Sequence, residues 1–352
     1  MVIDNKIKDK VKSIIDVNAV NMNIADMLNA AFNYTDIINP DEIKQYIKEG
    51  LSEEEAILEM LYGFYGLEHN DINDEVMNKY IFNNLKRLDP KEYLDNPYVK
   101  NIKVNAKFGK YKLQNITYEP YQLFAYDDIY LDNYQEFSRI GYFINEFPYL
   151  ALTEGNNVWM SLNPNEIETM KPYIKKAKGN VLVLGLGMGY VPYMISLKDE
   201  VKSITIIETD KEIIDLFKKN LLPLFVNKNK ITIIEDDAIK YLNRKDLRYD
   251  YIFADIWHDA EDGLSLFVQL KRINQNIDCW LEASLYQMLR RCMITLLEEQ
   301  LDNMGEDNYK HARNYTDKVI NKYYQRTKNL RLNNEDDLAN LLSDEFLLKN
   351  AL

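Results

Sequence analysis

The densest chemistry in this sequence lies between residues 181 and 262, where acids and glycines recur at the ends of short apolar runs. Asp255-Ile256-Trp257-His258-Asp259 places two carboxylates and an imidazole within five positions. Such a set can move protons in general acid–base catalysis, so Asp255, His258 and Asp259 are the catalytic candidates. The competing reading of His258 is a hydrogen-bonded loop residue. Asp262 beside it raises a metal site as a weaker thought. His69 and His311 lie in other regions, and no metal is expected.

Upstream, Gly185-Leu186-Gly187-Met188-Gly189 follows the apolar run Val181–Leu184. Glycines there let the backbone turn sharply and let a ligand approach it. A dinucleotide fingerprint needs Gly-x-Gly-x-x-Gly, and position 190 is Tyr, which lowers a nicotinamide reading. The competing reading is a tight strand–helix turn with no ligand. Glu208 stands 23 positions after Gly185, at the end of the next apolar run. A carboxylate at that place in a Rossmann-type site accepts hydrogen bonds from ribose hydroxyls. Thr209 adjoins it, and Asp210 suits the cap of the helix that follows. A third run closes in Glu235-Asp236-Asp237-Ala238. There a side-chain carboxylate and the Ala238 amide could read an adenine, or Asp237 could simply cap a helix. The ligand-binding candidates are therefore Gly185, Leu186, Gly187, Met188, Gly189, Glu208, Thr209, Asp236, Asp237, Ala238 and Asp255.

These residues need elements to hold them. Val181–Leu184, Ser203–Ile207, Ile231–Ile234 and Tyr251–Ala254 read as short buried strands, with helices near 189–197, 210–219 and 238–243 between them. Apolar strands alternating with helices mean an α/β fold, a Rossmann-like parallel sheet with helices on both faces. All four strand ends then share one edge, where such sheets bind ligands. Residues 1–95 read as a helical N-terminal domain, with Asn39-Pro40 and Ser52-Glu53-Glu54-Glu55 as helix starts. The helical spacing of Val76, Tyr80, Ile81 and Leu85 extends a helix over 74–88. Residues 96–160 read as a small β-rich segment, and a helix is expected over about 165–177. Residues 161–280 form the Rossmann-like domain. Residues 281–352 form a C-terminal helical extension, with amphipathic stretches at 281–301, 307–327 and 335–349.

Length and charge bound the function classes. The chain has 352 residues, too many for one small core. Its formal charge of −13 repels phosphate backbones and disfavours a nucleic-acid substrate. Two cysteines make neither a disulfide framework nor a zinc motif. No apolar run approaches the roughly 20 residues that span a bilayer, and no membrane partner is expected. The chain reads as cytoplasmic, and its composition is compatible with a homo-oligomer.

Taken together, the glycine loop, Glu208-Thr209-Asp210, Asp237-Ala238 and Tyr249-Asp250 through Asp255 resemble class I S-adenosylmethionine-dependent methyltransferases. The spacing is most similar to the spermidine synthase-like branch, which carries an apolar residue where Val183 stands and a Glu-x-Asp after the second strand. The resemblance covers about residues 158–260. It implies S-adenosylmethionine as cofactor, with the glycine loop and Glu208 at its methionyl and ribose parts and Asp237 at its adenine. Two features depart from that branch. Met188 stands where aminopropyl transfer uses a loop aspartate, and Asp255-Ile256-Trp257-His258-Asp259 replaces an Asp-Ser-x-Asp-Pro segment. The resemblance and its departures imply a methyltransferase acting on a small-molecule or protein acceptor. The alternatives are an aminopropyltransferase using decarboxylated S-adenosylmethionine, and a non-catalytic binding or interaction module.

Overall fold

The computed structural model describes residues 1–35, 37–155, 157–244 and 247–351. The chain forms two compact units, both discontinuous in sequence. One comprises residues 25–129 and 137–255; the other comprises 1–24, 130–136 and 256–352.

The first unit holds the parallel sheet. Ahead of it lies a small antiparallel sheet of β1 (Ala106–Phe108), β2 (Tyr111–Tyr118), β3 (Phe147–Glu154) and β4 (Asn157–Ser161). Its order is β4-β3-β2-β1, with Tyr111 opposite Glu154 and Tyr118 opposite Phe147. Helix α1 (Pro164–Lys176) follows. Asn163 caps it by accepting from the Glu166 amide at 3.1 Å, and Pro164 supplies a first-turn residue that needs no N–H partner.

The parallel strands are β5 (Gly179–Leu184), β6 (Val201–Glu208), β7 (Ile231–Glu235) and β8 (Tyr251–Ala254). They lie side by side as β7-β6-β5-β8. Helices α2 (Tyr190–Ser196), α3 (Lys211–Leu216) and α4 (Ala238–Leu242) connect or follow them. Val, Ile and Leu dominate these strands because both faces are covered: Val181, Leu182, Ile204 and Ile206 are fully buried. Each contributes roughly 1.5–3 kcal/mol through the apolar area removed from water. Register aligns the carboxyl ends. Leu184 pairs with Ile207 and with Ala254, and Glu208 pairs with Glu235. At the opposite edge the Asp250 carboxylate accepts from the Asn180 amide at 2.7 Å and pins the start of β5.

The helices Pro40–Lys48, Glu53–Tyr65 and Asp71–Tyr80 also belong to this unit. The first two begin at the caps read from sequence, Asn39 and the Ser52–Glu55 capping box. The expected helix over 74–88 stops short. It ends at Tyr80, a single 3₁₀ turn follows, and Leu85–Arg87 becomes a strand paired in parallel with Ile140–Tyr142. Tertiary strand pairing overrides a helical spacing there. A five-residue helix, Pro97–Asn101, likewise sits inside the segment expected to be β-rich.

The second unit is helical: α5 (Ala260–Ile273), α6 (Glu282–Leu301), α7 (Tyr315–Thr327), α8 (Glu335–Leu341) and α9 (Asp344–Ala351). The amphipathic stretch at 335–349 is thus two helices, broken at Leu342-Ser343, where the Ser343 hydroxyl accepts from the Phe346 amide. Leu285, Leu289, Met293 and Leu296 on α6 form its core with Tyr323, whose hydroxyl donates to the Leu347 carbonyl at 3.0 Å. Described strands after residue 256 are two residues long, Asp278–Cys279 and Arg331–Leu332. Among the described residues no helix is long and apolar enough to cross a membrane.

Candidate active site

Gly185, Gly187 and Gly189 all have positive φ, at 95°, 53° and 76°. Gly189 is the tightest position: a Cβ there would come within 2.3 Å of the Phe217 ring. Sheet and loop are joined by backbone bonds, Gly185 N–H to Ile207 C=O and Gly189 N–H to Leu186 C=O, both 2.9 Å. Among the described residues, the amides of Gly187 and Met188 have no acceptor within the chain. Met188 itself is buried, and its carbonyl accepts from the buried Tyr98 hydroxyl at 2.5 Å.

Glu208 is the hinge of the site. Its carboxylate accepts from the Leu186 amide at 3.1 Å, tying the end of β6 to the glycine loop. It also accepts from the amides of Thr209 at 2.7 Å and Asp210 at 2.8 Å. A carboxylate takes about four hydrogen bonds, so Oε2 keeps capacity for a ligand hydroxyl. Asp210 caps α3 and receives a bond from the Tyr111 hydroxyl at 3.1 Å.

The third strand end is partly committed to structure. The Asp237 side chain accepts from the Lys240 amide at 2.8 Å and caps α4, which begins at the buried Ala238. Asp236 accepts from the Asp237 amide at 2.9 Å and pairs with the Arg244 guanidinium. Each aspartate leaves part of its acceptor capacity unused.

Asp255 ends the fourth strand, with its amide bound to the Leu184 carbonyl at 2.9 Å. Burial pushes its carboxyl up to about 7, and the Glu208 charge adds to the shift. Glu166, in the first turn of α1, is also driven well above the ordinary carboxylate range, by burial first and then by the charge of Asp255. Asp255 therefore lies within electrostatic reach of two other acids from different elements, Glu166 and Glu208. Among the described residues, neither Glu166 nor Asp255 makes a side-chain hydrogen bond. A carboxyl titrating near neutrality can take a proton from an acceptor and release it to water.

The structure thus gathers Gly185–Gly189, Glu208, Thr209, Asp236, Asp237, Ala238 and Asp255 at the carboxyl edge of one sheet. His258 and Asp259 belong to the other compact unit. Asp259 is the N-cap of α5 and accepts from the Glu261 and Asp262 amides at 2.8 and 3.0 Å. His258 is exposed, with Nδ1 3.1 Å from Asp262 Oδ2. Trp257 is buried against Gly263, and among the described residues its indole N–H has no hydrogen-bond partner. Among the described residues, no group of three His, Cys, Asp or Glu side chains is placed to hold a metal ion. The residue that sequence reasoning missed as a functional candidate is Glu166. Its position three residues after Asn163 is also what a helix start dictates, so nothing local marks it out.

Four parallel strands side by side, with a glycine turn after the first and an acid after the second, make a Rossmann-like arrangement. Residues 166–278 match the family described as spermine/spermidine synthase domain. Over that third of the chain the sequence resembles the spermidine synthase-like branch to which its motifs point. Similar solved structures include a putative O-methyltransferase from Klebsiella pneumoniae, 19% identical over 29% of this chain and 46% of that one, with a TM-score of 0.23. They also include spermidine synthase from Thermotoga maritima, 14% identical over 41% of this chain and 55% of that one, with a TM-score of 0.29. The chain spans about half the length of these structures. No curated protein sequence matches it.

Proposed function

We propose that the parallel-sheet unit binds S-adenosylmethionine and transfers its methyl group to a nucleophilic small-molecule or protein acceptor. The observation that carries this reading is the glycine loop opening at the sheet edge, tied to Glu208 through the Leu186 amide and flanked by Asp255 at the end of the neighbouring strand. The residues fit the cofactor. The Gly187 and Met188 amides are free to donate to the methionyl carboxylate. Glu208 Oε2 has room for a ribose hydroxyl, and Asp237 retains an acceptor for an adenine amino group.

Bound there, S-adenosylmethionine would supply an electrophilic methyl carbon on a sulfonium, open to in-line attack by the acceptor lone pair as the C–S electron pair leaves on sulfur. Asp255 takes the proton that the acceptor loses. Burial first, and then the Glu208 charge, keep that proton affinity high. Positioning supplies much of the remaining rate. Met188 supports methyl over aminopropyl transfer, because the loop has no acid there to grip a cofactor ammonium.

Aminopropyl transfer from decarboxylated S-adenosylmethionine is the second reading, favoured by the domain match and by the three acids, which suit a polyamine cation. Turnover with each cofactor against amine, polyamine and protein acceptors separates the two by product mass. Methylated product is expected, and Asp255→Asn is expected to lower turnover on a protonated acceptor by about 10²–10⁴-fold. Aminopropylated product alone overturns methyl transfer. Calorimetric silence toward both cofactors and S-adenosylhomocysteine overturns the catalytic reading altogether and leaves an interaction module.

A further inference from the structure

A cavity of about 320 Å³ lies within the parallel-sheet unit, walled by the short helices Pro90–Leu94 and Pro97–Asn101, by strands β2 and β3 and by the start of α1. We propose that it binds an amphipathic organic anion, a bicyclic aromatic or similarly bulky apolar body ending in a carboxylate-type group.

The wall chemistry sets the apolar part. Leu94, Ile102, Phe147 and Leu150 face the cavity with the rings of Tyr93, Tyr98 and Tyr149. All three phenol hydroxyls are already engaged by the protein. Tyr98 donates to the Met188 carbonyl, Tyr93 is hydrogen-bonded to Glu168, and Tyr149 is hydrogen-bonded to Tyr118. Among the described residues, the interior side chains therefore offer mainly ring faces and aliphatic groups. An apolar cavity of about 150 Å³ is filled by one benzene, so a space of twice that size takes a two-ring body.

The mouth sets the charge. Its polar residues are Lys103, Asn105 and Asn115, all exposed. Among the described residues none of these three side chains has a hydrogen-bond or ion-pair partner. They offer one ammonium and two carboxamides. Among the described residues no carboxylate lines the cavity, although the chain carries 56 acids and a charge of −13. This local inversion of the chain's charge selects an anionic end and repels a polyamine. The inference is independent of which group the sheet-edge site transfers.

The test is calorimetry on the full chain with 2-naphthoate and with 2-naphthylmethylammonium, which carry the same ring system with opposite charge. Saturable 1:1 binding of 2-naphthoate is expected, with the ammonium about fivefold weaker or more. Val99→Trp, which fills the cavity from the Pro97–Asn101 helix, is expected to weaken naphthoate binding about tenfold. Lys103→Glu, at an exposed position that leaves the fold untouched, is expected to reverse the preference for the anion. Circular dichroism checks that the variants are folded; if Val99→Trp unfolds, Lys103→Glu decides alone. The proposal is overturned if naphthoate does not saturate, if the ammonium binds equally well, or if folded variants bind as the parent does.

Discussion

Asp255 shows how one residue's surroundings can turn an ordinary acid into a proton carrier. Water stabilises a carboxylate far better than a protein interior does, so burial alone favours the neutral form. The Glu208 charge pushes the same way. The consequence for stability follows from linkage. An acid whose folded-state value lies near 7 binds a proton that the unfolded chain has already lost above about pH 4. The folded state binds more protons between those limits, so this group's contribution to stability falls as pH rises from about 4 to 7. Asp255→Asn removes the penalty. Its melting temperature relative to the parent is expected to be unchanged near pH 4 and to rise steadily toward pH 8, measured by thermal scans at fixed ionic strength. A flat difference across that range would show that Asp255 titrates as an ordinary acid.

Elements hold these residues by close contacts that allow little substitution. Gly189 combines a left-handed backbone with the Phe217 ring at 2.3 Å from its would-be Cβ. Gly189→Ala is expected to cost about 3 kcal/mol from strain and overpacking, read from denaturant midpoints, and to weaken cofactor binding with it. In the helical unit, residues 130–136 are fastened by Glu136. Its carboxylate pairs with Arg291 and accepts from Gln287 at 2.6 Å, while its amide donates to Asn21 Oδ1 at 3.0 Å. Asn21 in turn donates to the Tyr134 carbonyl at 2.8 Å. Glu136 is only 7% exposed whereas the Arg291 side chain is 31% exposed, so the main cost of Glu136→Ala is the buried Gln287 amide left unpaired, expected to destabilise by about 1–3 kcal/mol. Glu136→Gln keeps the size and part of the bonding and should cost less.

On the scale of the whole molecule, the tryptophans divide between the two compact units. Trp159 lies in the parallel-sheet unit, and Trp257 and Trp280 lie in the helical one. A variant with Trp257→Phe and Trp280→Phe leaves Trp159 as the reporter of the sheet. S-adenosylhomocysteine at a hundred times its Kd adds about 2.7 kcal/mol to whatever it binds. That gain is expected in the Trp159-monitored unfolding of this variant, and Glu208→Ala should abolish most of it. Loss of the shift in the parent chain would remove the cofactor from the reading.

The positions of the four parallel strands along the chain, the glycine turn and the acids that close Val201–Glu208, Ile231–Glu235 and Tyr251–Ala254 were legible in the sequence, whereas their order across the sheet was not. Each is a local pattern: a continuous apolar run followed by a residue with a distinctive backbone or charge. The starts of several helices were legible for the same reason, since Asn39, Ser52, Asn163 and Asp210 satisfy amides only two or three positions away. Only the tertiary structure decided that Leu85 joins a strand, because its partner Ile140 is remote in sequence. Only it placed Glu166 beside Asp255, separated Asp259 into a capping role and enclosed the acid-free cavity. Those features depend on burial and on charges brought together from distant segments. Sequence spacing carries no record of either.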